Sequence, residues 1–284
     1  MKEIAYYNGR FVAPDEPAVS LNDRGYYFGD GVYEVTRVYN GRPFALSYHL
    51  DRLYRSMREL RIPVRIAPDE LSEMHEVMVE QSEIQDGYIY MQISRDVSTR
   101  HFPFPKQVNP PLSMVIRAID EPVETLNANG VTAITIPDDR WARCDIKCLN
   151  LLPAVLGTEQ AEENNAYEAI QIKDGIITEG CSSNIVVIKN GIVYTHPADK
   201  HILKGITRVL LFSKVAPTCG VTVIEKKFDK EFMNASQEVF LSNTVTGLTP
   251  IIAIDGNAVG TGKVGAVTQK LQAAYRKILE EGLP

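Results

Sequence analysis

One lysine stands in a mostly apolar stretch that leads into a predicted helix. Lys147 lies in the segment RCDIKCLNLLP, residues 143–153. An unperturbed lysine has a pKa of about 10.4, and burial lowers that pKa and makes the amine nucleophilic. Taken alone, the segment fits a strand-end lysine that reaches solvent better than it fits a reactive one.

The segment KGITR, residues 204–208, opens an apolar helical pattern and is a candidate anion site. Gly205 followed by Ile206 at a helix start presents backbone N–H groups, and the Thr207 hydroxyl adds a donor. The helix dipole favours negative charge at the same end. The pattern predicts a phosphate site, and an ordinary first-turn threonine is the alternative.

Two further polar segments adjoin predicted strands. Ser242–Thr244 (SNT) ends one strand, where hydroxyl groups either bind phosphate or simply form a turn. Glu179–Asn184 (EGCSSN) joins two predicted hairpin strands and places a carboxylate before small polar residues. Each of these signals is weak by itself.

Several well-known motifs do not occur in the sequence. Gly29-Asp30-Gly31 begins like a dinucleotide fingerprint, but position 34 is Glu, and Gly262-Lys263 is followed by Val rather than Ser or Thr. Neither H-E-x-x-H nor G-x-S-x-G is present. The motif search therefore gives no support to nucleotide, metal or serine-hydrolase chemistry, and we predict no metal site.

Composition is typical of a globular protein. The chain has 284 residues, and its formal net charge of -6 with 30 scattered Lys and Arg argues against a nucleic-acid partner. Neither a signal-peptide core nor a membrane-length apolar run occurs. The cysteines show no C-x-x-C pair and no zinc-like spacing, so we expect a cytoplasmic, reduced protein (Cys144, Cys148, Cys181, Cys219).

Asn-Gly and Asp-Gly dipeptides recur between segments of β-type residues. Both dipeptides readily take positive φ, so they predict hairpins in AYYNGRFV, RVYNGRPFAL, IQIKDGIIT and IVVIKNGIVYT. We therefore expect a largely antiparallel sheet rather than a regular βαβ array. Further strands are predicted at Tyr88–Ser94, Met114–Ala118, Thr132–Ile136, Val221–Glu225 and Glu238–Leu241.

Helical periodicity is rarer than strand signals. Ser47 is the predicted cap of a helix whose apolar face includes Leu50, and Arg52 lies off that face. Pro68 suits the first turn of a second helix. The alternation of hairpins with single helices indicates the α+β class, with a boundary in the polar segment Ile119–Asn129. Later helices are predicted at Asn150–Glu163, Ile206–Ala216 and Lys263–Glu281.

Six fragments occur in one order along the chain. They are DRGYYFGDGVYEV (Asp23–Val35), HLDRLYRS (His49–Ser56), RWARCDIKCLNLL (Arg140–Leu152), YEAI (Tyr167–Ile170), TEGCSSN (Thr178–Asn184) and ILKGITR (Ile202–Arg208). Together they resemble the class IV (fold type IV) pyridoxal-phosphate aminotransferases, and within that family the D-amino-acid aminotransferases. The similarity runs nearly end to end, from about Tyr6 to Leu279. Six collinear fragments are specific, whereas one would be chance.

The resemblance implies pyridoxal 5'-phosphate as the cofactor and assigns roles to residues. Lys147 matches the catalytic lysine, which binds the cofactor covalently and later carries a proton between the substrate Cα and the cofactor. Glu179 matches the carboxylate that pairs with the pyridine nitrogen and keeps the ring an electron sink. Leu203 matches the residue packed on the ring face opposite the lysine.

The resemblance also implies how the cofactor phosphate is bound. Arg52 matches the phosphate arginine. The residues Ile206 and Thr207 at the helix start, with Thr244, match the other phosphate contacts. The implied cofactor-binding set is completed by Ser182, Ser183 and Gly205.

Substrate recognition is implied for residues of two segments. Tyr33 and Arg100 match residues that help bind the substrate carboxylate in the D-specific enzymes, with Arg100 coming across a dimer interface. The D-specific pattern there is arginine, any residue, histidine, whereas this chain has Arg100-His101-Phe102. The histidine is one place early, which in a strand would turn its side chain to the other face. We include His101 in the predicted substrate-binding set.

We predict a two-domain α+β enzyme of fold type IV. A smaller N-terminal α/β sandwich is expected at residues 1–120. A larger, β-rich C-terminal domain with helices, which binds the cofactor, is expected at residues 126–284. The cofactor is expected in the cleft between them, and the resemblance implies a homodimer.

The predicted reaction is a ping-pong transfer of an amino group from a D-amino acid, of the D-alanine or D-glutamate type, to a 2-oxo acid such as 2-oxoglutarate or pyruvate. Three alternatives stay open. An L-branched-chain aminotransferase would use the same Lys147 and Glu179, and an aminodeoxychorismate lyase would keep the lysine and the phosphate site. A non-catalytic phospho-ligand-binding module would need only an anion site around Arg52 and Thr207.

Overall fold

The computed structural model describes residues 2–16, 19–120 and 122–283, and these divide into two compact units. The first unit runs to Asp120 and also takes in Ile146–Asn150, so Lys147 belongs to it. The second unit contains residues 122–145 and Leu151–Glu281. Both units combine helices with a sheet, which confirms the predicted α+β class. The domain bounds 1–120 and 126–284 stay a prediction.

The first unit is built on an antiparallel six-stranded sheet in the order β2-β1-β6-β5-β3-β4. Alternate residues of β5 and β6 are buried because one face of the sheet packs against helices α2 and α3. The strands are β1 (Ile4–Tyr7), β2 (Arg10–Val12), β3 (Gly31–Tyr39), β4 (Arg42–Pro43), β5 (Gly87–Ser94) and β6 (Leu112–Ala118). The helices are α1 (Arg24–Phe28), α2 (Leu46–Glu59) and α3 (Pro68–Ser82).

Helix α2 begins before its predicted cap. Its N-cap is Ala45 at φ 53°, so the prediction that Ser47 is the cap of this helix is wrong. The left-handed Ala45 turns the chain directly from β4 into the helix, which leaves Ser47 inside the first turn. The predicted apolar face is confirmed, because Leu50 and Leu53 are buried.

The second unit contains a mixed nine-stranded sheet in the order β12-β11-β10-β13-β14-β7-β8-β9, with β15 paired to β14. Its strands are β7 (Val131–Pro137), β8 (Glu168–Lys173), β9 (Ile176–Gly180), β10 (Asn184–Lys189), β11 (Ile192–Thr195), β12 (Val223–Glu225), β13 (Glu238–Asn243), β14 (Gly247–Ile254) and β15 (Asn257–Ala258). Its helices are α4 (Val123–Asn129), α5 (Leu152–Glu163), α6 (Ile206–Leu210), α7 (Ala216–Thr218), α8 (Lys230–Asn234) and α9 (Ala266–Glu281), with a π-helical turn at Leu211–Val215. Across the described ranges, every helix is too short or too polar to span a bilayer.

The four predicted hairpins are confirmed, and both residues of each turn dipeptide have positive φ. They join β1 to β2, β3 to β4, β8 to β9 and β10 to β11. The sheet of the second unit is nevertheless mixed, since β7 pairs in parallel with β8 and β14, and β11 with β12. Helix α5 supplies the crossover that a parallel β7–β8 pair requires.

The first unit also buries a histidine, and only one of its two ring nitrogens has a hydrogen-bond partner among the described residues. His75 of α3 is 0% exposed, and its Nδ1 lies 2.7 Å from the Leu71 carbonyl. Its Nε2 has no hydrogen-bond partner among the residues described. Burial lowers the pKa of His75 from its ordinary value of 6.5 to about 4. The folded protein therefore holds this ring neutral at pH values where the unfolded chain protonates it.

We predict that His75 makes the fold sensitive to acid. Between pH 6.5 and 4 the unfolded state binds a proton that the folded state does not, so stability falls as pH falls, by at most about 3 kcal/mol. His75→Leu should reduce this loss, measured as the free energy of unfolding by denaturant titration at pH 7 and pH 4.5. The exposed His101→Leu variant is the control, and an unchanged pH dependence in His75→Leu would contradict the prediction.

Candidate active site

A short extended segment fixes Lys147 alongside β3. The Tyr33 N–H donates to the Lys147 carbonyl over 3.2 Å, and the Leu149 N–H donates to the Gly31 carbonyl over 3.1 Å. The Lys147 N–H donates to the Ser56 hydroxyl of α2 over 3.3 Å. Because these bonds tie the backbone around Lys147 to both β3 and α2, the lysine has one register beside the sheet.

The Lys147 amine lies over an aromatic ring. Its Nζ is 4.1 Å from the ring centroid of Tyr33, and Tyr33 stacks on Tyr90 with centroids 5.5 Å apart. The Tyr90 hydroxyl donates to Gln92 over 2.8 Å. An ammonium over an aromatic face is attracted by the ring quadrupole. The structure thus brings together two residues, Tyr33 and Lys147, that the sequence analysis assigned to the site separately.

A buried carboxylate of β3 holds the guanidinium of Arg52. Nε and Nη2 of Arg52 donate to the two oxygens of Glu34 over 2.7 and 2.8 Å, and Nδ1 of His49 lies 2.8 Å from one of them. Burial opposes ionisation, but the charge and hydrogen bonds of Arg52, with those of His49, lower the pKa of Glu34 to about 2. The ionised Glu34 therefore fixes Arg52 in place.

The sequence analysis gave Glu34 no role in the site. It lies in β3 at 0% exposure, two residues from Val32 and Thr36, which are also buried. A carboxylate at a buried position of a strand is rare unless it is paired. A buried carboxylate in this strand therefore indicates a charged partner. That partner is Arg52, which lies on helix α2.

In the second unit, Glu179 is buried near the end of β9, at 5% exposure. Its oxygens accept hydrogen bonds from the Arg140 guanidinium, from Nδ2 of Asn184 over 2.9 Å and from the Leu203 N–H over 3.0 Å. Burial raises the pKa of this carboxyl to about 7, against the lowering effect of Arg140. Glu179 therefore titrates near neutral pH, and a second positive group near it would stabilise its charge.

Arg140 joins Glu179 to a second carboxylate. Nε and Nη2 of Arg140 donate to Asp138 over 2.9 and 2.8 Å, and Nη2 also donates to the His201 carbonyl over 3.1 Å. The Thr178 hydroxyl donates to Asp138 over 2.8 Å. Both carboxylates that bind Arg140 are thus tied to β9. Arg140 lies in one of the six fragments that carry the family resemblance, but it had no predicted role.

The predicted cofactor-binding serines lie around another buried carboxylate. The Ser183 hydroxyl donates to Glu168 over 2.7 Å, and the Ser182 hydroxyl donates to the same oxygen over 3.3 Å. The Cys181 N–H donates to the other oxygen over 3.0 Å. A Cβ at Gly180 would lie 2.7 Å from Glu168, so only glycine allows this close approach. Glu168 therefore shapes the turn between β9 and β10.

Two segments that the sequence analysis marked separately as phosphate candidates lie together at the start of α6. The Thr207 hydroxyl donates to the Asn243 carbonyl over 2.8 Å, which ties the helix start to the β13–β14 turn that contains Thr244. Gly205 is the N-cap of α6, and no side chain within the described ranges caps it. A Cβ on Gly205 would collide with Oδ1 of Asn184. Glycine at this position lets the helix start lie against β10.

These residues of the second unit fit the two charged ends of a phosphorylated pyridine. A helix start without a side-chain cap offers its first N–H groups to an anion. Ser242, next to Asn243 in the chain, is 2% exposed, and its hydroxyl has no hydrogen-bond partner within the part of the chain described. A carboxylate held as Glu179 is held suits a protonated ring nitrogen.

The predicted substrate residues of the β5–β6 connection are exposed. Arg100 and His101 lie on the surface of the first unit. The Arg100 guanidinium lies 5.3 Å from the ring centroid of Phe28 and 5.6 Å from that of Phe102. Tyr33, the other predicted substrate residue, lies against Lys147 instead. The structure thus places the predicted carboxylate-binding residues on two different segments of the first unit.

Comparison with known proteins gives a consistent family. The model of the family Amino-transferase class IV matches residues 31–254, which run from β3 to β14 and include Lys147 and Glu179. The chain is 43% identical to a D-alanine aminotransferase of Staphylococcus aureus (strain MSSA476) over 279 residues, 98% of each chain. It is 41% identical to a D-alanine aminotransferase of Bacillus licheniformis, over 97% of each chain.

The fold is also found in solved structures. The branched-chain amino acid aminotransferase of Escherichia coli is similar with a TM-score of 0.89 at 25% identity, over 98% of this chain and 95% of that one. The predicted fold type IV architecture is therefore confirmed. With the family model covering most of the chain and relatives above 40% identity over nearly all of it, the chain belongs to the class IV aminotransferases, which use pyridoxal phosphate.

Proposed function

We propose that this class IV aminotransferase moves the amino group of a D-amino acid, of the D-alanine or D-glutamate type, to a 2-oxo acid. Family membership makes an amino acid and a 2-oxo acid the two substrates. The D configuration is supported by the relatives, since the D-alanine aminotransferases are 41% and 43% identical to the chain. The branched-chain enzyme of similar fold is only 25% identical.

The observation that carries the catalytic part of the proposal is the fixed position of Lys147. Pyridoxal phosphate supplies a conjugated ring that accepts electrons when the substrate loses its Cα proton. Lys147 would hold this cofactor covalently, and its amine would accept the proton at Cα and return it. The hydrogen bonds to β3 and α2 fix the backbone of Lys147, from which its amine extends over Tyr33.

The cofactor phosphate is bound in this proposal by Arg52, Ile206, Thr207 and Thr244. Arg52 contributes a guanidinium that Glu34 already orients, so little side-chain entropy is lost when the phosphate binds. The start of α6 contributes backbone N–H groups and a helix dipole of the right sign. The remaining predicted contacts of the cofactor are Ser182, Ser183, Leu203 and Gly205.

Glu179 pairs with the ring nitrogen in this proposal and keeps that nitrogen protonated. A carboxylate with a pKa near 7 is only partly ionised at neutral pH, but a cationic nitrogen beside it would lower that pKa. Arg140 also lowers it. The two positive groups together keep Glu179 ionised, which a buried carboxylate requires for this role.

The spectrum of the purified enzyme with its cofactor tests the function directly. We expect D-alanine to remove the visible absorption band of the lysine-linked cofactor and to produce the pyridoxamine form, while L-leucine leaves the band in place. Conversion by L-leucine instead would favour an L-branched-chain aminotransferase, the second candidate, which the similar fold of that enzyme supports.

A matched pair of lysine variants controls this measurement. Lys147→Ala should lose the lysine-linked band and lower kcat by ~10³-fold or more, because general acid–base catalysis by one group contributes roughly 10²- to 10⁴-fold. Lys277→Ala, whose side chain is 74% exposed on α9, should behave as the unaltered enzyme does. Near-normal turnover in Lys147→Ala would rule out the assignment of this lysine.

Arg140→Leu tests the role of the carboxylate. Without the guanidinium the pKa of Glu179 rises, so the carboxyl stays protonated to higher pH and loses its hold on the ring nitrogen. We expect kcat to fall by about 10- to 100-fold, the effect of one lost charge-assisted hydrogen bond. The acid limb of the pH–rate profile should move to higher pH.

The matched control for Arg140→Leu is Arg10→Leu, since the Arg10 side chain is 68% exposed. Steady-state kinetics with D-alanine across pH measure both effects. If Arg140→Leu kept the acid limb of the unaltered enzyme, Glu179 would not depend on Arg140 for its charge.

We also propose that the enzyme is a homodimer. Helix α5 exposes Leu152, Val155 and Leu156 at 68%, 59% and 63%. The three lie within two turns of one helix face, and an apolar stripe of this kind on a soluble protein marks an interface. A second copy of the chain is the proposed partner of this face.

Sedimentation equilibrium tests the dimer with charge substitutions on exposed apolar residues. Leu156→Glu should shift the enzyme toward monomer because it buries a charge in the interface. Val64→Glu, at a 48% exposed position of the first unit, is the control. A monomeric unaltered enzyme, or an unchanged dimer in Leu156→Glu, would count against this interface.

The location that we propose is the cytoplasm. All four cysteines, each within the described part of the chain, are free thiols. A reducing compartment keeps thiols in this state.

A further inference from the structure

A buried arginine binds the exposed β5–β6 connection, which contains Arg100. Arg24 of α1 is 3% exposed. Its Nη1 donates to the His101 carbonyl over 2.6 Å, and its Nη2 donates to the Phe102 carbonyl over 3.2 Å. Two hydrogen bonds from one planar guanidinium fix both the position and the direction of the backbone just after Arg100.

Arg24 is itself held by a carboxylate that it shares with a second arginine. Nε of Arg24 and Nε of Arg95 both lie 2.8 Å from the same oxygen of Asp30. Arg95 also donates to the Arg61 carbonyl over 2.9 Å and to the Leu60 carbonyl over 2.7 Å. This anchor, consisting of Arg24, Asp30 and Arg95, therefore connects the Arg100 segment to the end of α2 through buried, charge-assisted bonds.

Aromatic rings flank the side chain of Arg100. Its guanidinium carbon lies 5.3 Å from the centroid of Phe28 and 5.6 Å from that of Phe102, and the two rings are 5.4 Å apart. Phe28 also lies 4.9 Å from the guanidinium carbon of Arg24. Phe102 is 75% exposed, so hydrophobic burial does not account for the position of its ring. Its contacts with Phe28 and with the Arg100 guanidinium hold all three groups in one cluster.

We propose that Arg24, Phe28 and Phe102 are positioning residues that set the place of the Arg100 guanidinium for the carboxylate of the substrate. The inference rests on the proposed function and on the prediction from the sequence that Arg100 binds that carboxylate. A long exposed arginine loses side-chain entropy when it binds a ligand. Arg24 fixes the backbone next to Arg100, and the rings of Phe28 and Phe102 fix its guanidinium. Part of the entropy is therefore lost before the substrate binds.

A purely structural role of these residues has a different consequence. If they only stabilise the β5–β6 connection, substitutions there lower the melting temperature without a selective effect on substrate binding. If they position Arg100, their effect on KM disappears once Arg100 itself is removed. A double-mutant cycle with Arg100→Ala separates the two cases, because the coupling energy is zero for independent sites.

The first test is Phe102→Leu in the complete enzyme with its cofactor. We expect KM for D-alanine and for 2-oxoglutarate to rise together by about two- to fivefold, the effect of one exposed cation–π contact, with kcat nearly unchanged. Both substrates should respond because both carry the carboxylate. In the Arg100→Ala background the same substitution should leave both KM values unchanged. Phe11→Leu, another exposed phenylalanine of the first unit at 43% exposure, is the matched control.

Arg24→Lys is the second variant. A lysine keeps the charge but lacks the planar fork that bonds two carbonyls and Asp30 at once, so we expect a larger rise in both KM values than in Phe102→Leu. Because a buried arginine is replaced, its melting temperature is measured alongside. Should this variant fail to fold, the cycle on the exposed Phe102 decides the question alone.

The outcomes distinguish the two levels of the proposal. Without D-alanine turnover by the unaltered enzyme, the proposed function fails and this inference fails with it. If D-alanine is turned over but Phe102→Leu leaves KM unchanged, or raises it equally with and without Arg100, the inference alone is overturned. A rise in KM that vanishes in the Arg100→Ala background supports it.

Discussion

Glu179 lies at 5% exposure, and a carboxylate so far from water keeps its charge only where other groups bond to it. Arg140, Asn184 and Leu203 supply those bonds, and Arg140 is in turn held by Asp138. These partners come from β10 and from the segments that lead to Lys147 and into α6. The bonds that stabilise one buried charge therefore also place the start of α6 beside β10.

The first unit also contains a buried carboxylate, and different residues stabilise its charge. Glu34 is buried in β3, and Arg52 and His49 of α2 satisfy its two oxygens. The next residue of the strand toward the N-terminus, Tyr33, contacts the Lys147 amine. One strand thus contacts both the predicted phosphate arginine and the predicted reactive lysine. A strand whose central position is a buried ion pair also resists slipping by one residue, because a slip would leave the carboxylate without its partners.

Much of the secondary structure was predictable because its causes are local. Asn-Gly and Asp-Gly dipeptides adopt positive φ by themselves, so the hairpins at Asn8-Gly9 and Asn190-Gly191 follow from adjacent residues. The apolar spacing of α2 similarly identified its buried face. The parallel pairing of β7 with β8 and β14 was not predictable, since strand partners are chosen by packing between distant segments. The start of α2 at Ala45 depended likewise on the path of the chain leaving β4.

The sequence by itself identified the family and predicted the reactive lysine and the segments around the cofactor, because these predictions come from short contiguous fragments such as the one containing Lys147. Only the tertiary structure showed that Glu34 and Arg140 bind residues predicted for the site. Each acquires its role from a partner far away in the chain, Arg52 for the first and Glu179 for the second. A charge is stable in the interior only when its partner is brought to it, and bringing distant residues together is what folding decides.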